Sequence, residues 1–131
     1  MPREEISIQK DIWNHATLWQ ERLLKEFNLE KEFDKSLYYY SGGQRKLIQL
    51  MCLLSQKTEL LLLDEPFTHL DERACSFIMD WIEENKRLVG QSFIIVSHRL
   101  EPLNNRSDYH IEISNNTLHY VKEDNYGKEN N

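Results

Sequence analysis

Hydrophobic residues along this chain recur in two rhythms. Ile12, Ala16, Trp19, Leu23 and Phe27 return at helical spacing, with Trp13 and Leu24 widening the stripe and Glu and Lys filling much of the other face. This pattern predicts an amphipathic helix from near Lys10, with loop or frayed end over residues 1–9 and an interruption at Asn28-Leu29. The two tryptophans are assigned to packing. Residues 29–36 are charged and carry no clear period. Tyr38, Tyr39 and Tyr40 follow; with no basic residues between them, they read as packing and loop-positioning residues rather than a base-stacking platform. Ser41-Gly42-Gly43-Gln44 then reads as a helix start, with Ser41 as cap and Gln44 at the third helical position of a capping box. The helix predicted from it runs from Gly43 to Leu54, with Leu47, Leu50, Met51 and Leu54 on one face.

The second half changes rhythm. Leu60 to Leu63 is a continuous apolar run, which predicts a strand buried on both faces of a helix-covered parallel sheet. It ends in Asp64 and Glu65, and Pro66 cannot continue a central ladder. Asp71 is placed to cap a helix over residues 72–88, whose inward face carries Ala74, Cys75, Phe77, Ile78, Trp81, Ile82 and Leu88, and Gly90 to end it. Phe93 to Val96 predicts a second buried strand. A helix of that length suits a right-handed crossover, so the strands are parallel and His98 emerges at the same sheet edge as Asp64 and Glu65. Leu103 to Asp108 reads as loop. Tyr109–Ile113 and Thr117–Val121 alternate around Ser114-Asn115-Asn116, the pattern of a hairpin. The predicted fold class is α/β: a helical subdomain over residues 1–54, a partial α/β core with a parallel sheet over 55–121, ending in the hairpin, and a polar, disordered tail over 122–131.

Composition narrows the function. Sixteen basic against 22 acidic residues give a formal charge of −6, which speaks against coating a nucleic-acid duplex; no direct nucleic-acid binding is expected. Cys52 and Cys75 lack metal-ligand spacing and are assigned as small buried thiols. No secretion signal or bilayer-length apolar run is apparent, so a cytoplasmic site is expected, with a peripheral membrane association left open. The only glycines are Gly42, Gly43, Gly90 and Gly127. None belongs to a GxxxxGK[ST] or GxGxxG stretch, so neither common phosphate loop is present.

What remains is a distinct chemistry. Acids at the carboxyl end of a parallel strand sit where open α/β sheets bind ligands. Oxygen donors there suit Mg²⁺, which reaches proteins through one or two carboxylates plus phosphates. A capped helix start with two glycines offers free amides and a positive dipole end to an anion.

Taken in order, Tyr40-Ser41-Gly42-Gly43-Gln44, Leu60-Leu61-Leu62-Leu63-Asp64-Glu65-Pro66, His69-Leu70-Asp71 and Val96-Ser97-His98 resemble the ATP-binding cassette ATPases. The resemblance covers roughly residues 6–121 and the carboxyl-terminal part of a family domain, and it implies part of a P-loop NTPase-type sheet. It implies that Ser41, Gly42, Gly43 and Gln44 are the signature motif, which binds the γ-phosphate of ATP held by the opposite cassette of a dimer. It implies that Asp64 is the Walker B aspartate holding Mg²⁺, directly or through water, that Glu65 polarises the attacking water, that Thr68 to Asp71 form the D-loop crossing the dimer interface, and that His98 is the switch histidine. Tyr40 stands where leucine is usual, and His69 replaces the usual small residue. The family's phosphate loop and glutamine loop belong upstream of residue 1.

The resemblance therefore implies an ATP- and Mg²⁺-dependent subunit of an ABC transporter, on the cytoplasmic face of a membrane. Its partners would be a transmembrane subunit, a second cassette, or a missing amino-terminal half supplying the phosphate loop. The chain alone is expected not to hydrolyse ATP efficiently, and the free edge of the Phe93–Val96 strand is expected to be an association hazard. The alternatives are a DNA-repair or chromosome-maintenance ATPase of the same superfamily, disfavoured because residues 1–40 hold no sustained heptads, and a non-catalytic cassette partner, disfavoured by the retained Glu65 and His98.

Overall fold

The computed structural model describes residues 3–30 and 40–122, with side chains described over 14–30 and 40–121. Tyr38, Tyr39, most of the 29–36 stretch and the tail from residue 123 lie outside the described residues. Helix α1 spans Arg3–Glu26, α2 spans Gly42–Leu54, β1 spans Leu60–Asp64 and α3 spans Glu72–Glu84. A single π-helical turn, Asn85–Val89, continues α3; β2 spans Ser92–Val96, a 3₁₀ turn Glu101–Leu103, β3 Tyr109–Ser114 and β4 Thr117–Lys122. The chain divides into two compact units, one ending at His98 and one beginning at Arg99.

In the first unit the core lies between the helices and one face of the β1–β2 sheet. Trp19 and Leu23 of α1, Leu47, Leu50, Met51 and Leu54 of α2, and Phe77, Ile78, Trp81 and Ile82 of α3 are all buried. Trp19 stacks on Trp81 at 5.7 Å between ring centroids, and Phe77 meets Trp19 edge-on at 5.4 Å. Trp19 is thus a packing residue, as its place in the helical stripe predicts. Arg73 closes the C-terminus of α1 by donating to the Glu26 backbone oxygen at 2.6 Å, satisfying a carbonyl the helix cannot. Asn28, with φ 56, then turns the chain out of α1, where an interruption is expected.

A buried polar cluster ties these elements together. The Asn85 amide donates to the Leu54 backbone oxygen at 2.9 Å and to Gln91 Oε1 at 3.0 Å, and its own oxygen lies 3.0 Å from His15 Nε2. Gln91 in turn donates to the backbone oxygen of Thr58 at 2.8 Å. The π-helical turn brings Asn85 into this cluster, and Gly90, with φ 70, ends the turn in the left-handed region.

Five expectations are corrected. α1 begins at Arg3 instead of near Lys10; helix-forming residues need no apolar stripe to continue a helix. β1 is buried on one face only: Leu61 and Leu63 point inward while Leu60 and Leu62 are exposed, Leu62 by 67%. β2 follows suit, with Ile94 and Val96 exposed. Helices cover one face of this sheet, so a run of four leucines splits into two inward and two outward. Leu88 and Cys52 are exposed as well, whereas Cys75 is buried.

The second unit is the predicted hairpin, antiparallel, with Ile111 opposite Tyr120 and Ile113 opposite Leu118. Its two-residue loop, Asn115-Asn116, takes positive φ at both positions (50 and 59), the tight turn that asparagine tolerates and that matches strand twist.

Candidate functional site

β1 and β2 pair in parallel, with Leu60 opposite Ser92 and Asp64 opposite Val96. Asp64 and the residues after Val96 therefore leave the sheet at the same edge, as the crossover argument requires. The Glu65 amide extends the ladder, donating to the Val96 carbonyl at 2.7 Å. The chain then turns sharply. Glu65 has φ 49, a left-handed conformation costing a non-glycine residue about 1–2 kcal/mol. The turn is anchored from below by Pro66 and Phe67, both fully buried, and tied across by Thr68, whose hydroxyl donates to the Glu65 backbone oxygen at 3.1 Å.

This turn brings Glu65 against His98. The His98 backbone amide donates to Glu65 Oε1 at 3.1 Å, and the same carboxylate oxygen contacts His98 Nδ1. The contact with His98 holds the Glu65 carboxyl below the usual carboxylate range, with smaller help from the Lys46 charge. The Glu65 hydrogen bond and charge raise the His98 imidazole above its usual value, and Asp64 adds to the shift. The His98 side chain is 95% exposed and that of Glu65 33%, so water and a solvent-borne ligand can reach the pair. Asp64, also exposed, stands beside it.

The other candidate residues gather around the following loop. Ser41 Oγ accepts from the Gln44 amide at 3.1 Å while Gln44 Oε1 accepts from the Ser41 amide at 2.9 Å, a complete capping box. Both side chains are occupied in holding the helix start, which leaves the backbone amides of Gly42 and Gly43 as the groups with no acceptor inside the helix. Asp71 caps α3 by accepting from the Ala74 amide at 2.8 Å. His69, with φ 66, packs on Gly42 and Gly43, a contact that the sequence does not announce.

The donor set fits a magnesium ion associated with phosphates. Asp64 offers an exposed carboxylate at the strand end, and no group of three or more His, Cys, Asp or Glu side chains is gathered for a metal among the described residues. An ion that needs one protein carboxylate and takes its other ligands from phosphate and water suits such a site. No described helix is long and apolar enough to cross a membrane.

Comparisons with known proteins bear on the family and the fold. The family model described as ABC transporter matches residues 2–68. A Pyrococcus furiosus protein named as an ABC transporter ATP-binding protein is 33% identical over 87 residues, covering 66% of this chain and 33% of its own length. The lipoprotein-releasing system ATP-binding protein LolD of Buchnera aphidicola is 37% identical over 78 residues, covering 60% of this chain and 34% of its own. The chain thus spans about a third of the length of these curated relatives. Among solved structures, an ATP-binding cassette of an ABC transporter in its ADP conformation superposes with a TM-score of 0.60 at 22% identity, over 83% of this chain and 43% of that one. A structure of SMC ATPases superposes less well, with a TM-score of 0.52 at 21% identity, over 65% of this chain and 55% of that one. With the family model covering just over half of its residues, the chain belongs to the ABC transporter family.

Proposed function

We propose that this chain is the carboxyl-terminal part of a cassette that hydrolyses ATP to drive transport across a membrane, working with a segment that supplies the phosphate loop. The observation that carries the reading is the Glu65–His98 pair, exposed at the sheet edge beside Asp64. Glu65 orients the attacking water and accepts its proton. While hydrogen-bonded to His98 its basicity is depressed, so a phosphoryl group that draws His98 away releases Glu65 to act as a base. His98, its proton held more tightly than usual, donates to an oxygen of the transferred group. Asp64 would hold Mg²⁺, which when bound neutralises charge on the phosphates. Gly42 and Gly43 present their amides to the γ-phosphate of ATP on the opposite cassette, and Asp71 belongs to the loop at that interface.

The sequence contains no phosphate loop, so ATP needs a second protein surface to grip its α- and β-phosphates. The exposed Leu60, Leu62, Ile94 and Val96 give that surface an apolar sheet face to cover. The membrane partner is a transmembrane subunit, and the chain works at the cytoplasmic face. The SMC structure shares the fold, but fold alone does not select among ATPases of this superfamily; the Pyrococcus furiosus relative, at 33% identity, is named for an ABC transporter.

Calorimetry tests the division of labour. The chain alone should give no ATP-binding heat at micromolar concentrations. Addition of a phosphate-loop half should produce Mg²⁺-dependent binding. Micromolar ATP affinity of the monomeric chain on its own would defeat the proposal.

A further inference from the structure

The two glycines after Ser41 are packed from within their own chain. A Cβ at Gly43 would lie 2.8 Å from the backbone oxygen of His69, closer than real Cβ contacts come. A Cβ at Gly42 would lie 3.4 Å from Cγ of the His69 ring. Neither glycine has a positive φ, so conformational freedom does not account for them. His69 itself does have one, φ 66, and that turn aims its carbonyl at Gly43 and its ring at Gly42. The same short loop begins with the left-handed Glu65, is tied by the Thr68–Glu65 hydrogen bond, and is pinned by the buried Phe67 and Leu70.

We infer that His69 is a positioning residue: its left-handed turn seats the loop that carries Glu65 onto Gly42-Gly43, so that Glu65 and the Ser41-capped helix start are held as one unit. The inference rests on the proposed function only for what that unit acts upon. The two glycines differ in the obstacle each faces. At Gly43 it is backbone, which cannot give way. At Gly42 the His69 ring lies at ordinary van der Waals distance, so a Cβ there meets no clash.

Amide chemical shifts of the chain itself test the contact. Asparagine tolerates the left-handed region and valine does not. His69→Val should displace the Gly43 and Glu65 amide signals together, whereas His69→Asn should shift chiefly Gly42, which loses the ring. Gly42→Ala should leave the Glu65 amide signal in place, whereas Gly43→Ala should displace it, and His69→Asn should not relieve that displacement. Unmoved Gly43 and Glu65 signals in His69→Val, or a Gly43→Ala change relieved by His69→Asn, would overturn the inference. If His69→Val fails to fold, the Gly42→Ala and Gly43→Ala variants, and the latter's pair with His69→Asn, still decide it.

In a cassette completed with a phosphate-loop half, His69→Val should lower kcat about tenfold, the effect of about 1.4 kcal/mol on the barrier. KM for ATP should stay within about threefold, because the α- and β-phosphates are gripped by the added half. His69→Asn should restore most of the lost turnover; equal loss in both variants would reject the backbone turn as the device. A completed wild-type cassette that hydrolyses no ATP would remove the proposed function and leave the amide-shift result to stand or fall by itself.

Discussion

The helical side and the sheet side of the first unit are built to opposite standards. Between α1 and α3, Trp19, Phe77 and Trp81 pack ring on ring, Arg22 lies 4.3 Å above the Trp19 ring, and Leu23, Ile78 and Trp81 are shut off from water. At the sheet, Leu60, Leu62, Ile94 and Val96 face solvent, β2 pairs with β1 alone among the described residues, and the edge bears a left-handed glutamate against an exposed histidine. The first region holds itself together. The second carries strain, bare apolar surface and perturbed charges, which are features that clustered chemistry and a covering surface explain and that stability does not.

Substitutions should separate the two regions sharply. Trp81→Ala removes a fully buried ring from the aromatic stack and should cost about 3–5 kcal/mol in urea unfolding. Trp81→Phe should cost much less, because the indole N–H it removes has no hydrogen-bond partner among the described residues. Asn85→Ala strands the Leu54 carbonyl and a face of Gln91 in a buried setting, and should cost about 1–3 kcal/mol by the same measurement. Asp71→Ala removes the cap of α3 and should cost about 1 kcal/mol. By contrast, Leu62→Ser together with Ile94→Thr should leave the unfolding free energy within about 0.5 kcal/mol, as for ordinary surface positions. The same pair should lower self-association in sedimentation experiments and weaken assembly with a phosphate-loop half. Strong destabilisation of the isolated chain by the sheet pair would erase the contrast.

The pH dependence of the edge is a smaller effect with a definite sign. Glu65 titrates below its usual value in the folded chain, so its share of the pairing is present above the unfolded value and lost as pH falls through the folded one. His98 titrates above its usual value, so its share is full below the unfolded imidazole value and lost as pH rises through the folded one. The pair is therefore strongest between the lowered carboxylate and the raised imidazole. Proton NMR should place the His98 midpoint above that of an ordinary histidine, and Glu65→Gln should bring it back down. Because both groups meet solvent, the change in unfolding free energy should be slight.

Local rules made much of this readable in advance. The capping box at Ser41-Gln44, the cap at Asp71, the hairpin around Asn115-Asn116 and the parallel crossover all depend on residues close in sequence or on chain handedness. The edge on which Asp64, Glu65 and His98 meet followed from the crossover alone. What was hidden depends on neighbours. Leu60 to Leu63 could face helices on both sides or on one, and nothing within the run distinguishes these. Asn85 carries no local sign of burial, and Leu54, Gln91 and His15 gather around it only in the fold. Gly42 and Gly43 read as a helix start that offers amides to an anion; the contact with His69, 26 residues downstream of Gly43, has no local signature.

Turnover in a completed cassette tests the central claim most directly, because it asks whether the exposed Glu65–His98 pair does chemistry. ATP hydrolysis should appear when a phosphate-loop half is added to this chain, and Glu65→Gln should reduce kcat by about 10²-fold or more while ATP binding persists. Undiminished turnover in Glu65→Gln would contradict the account.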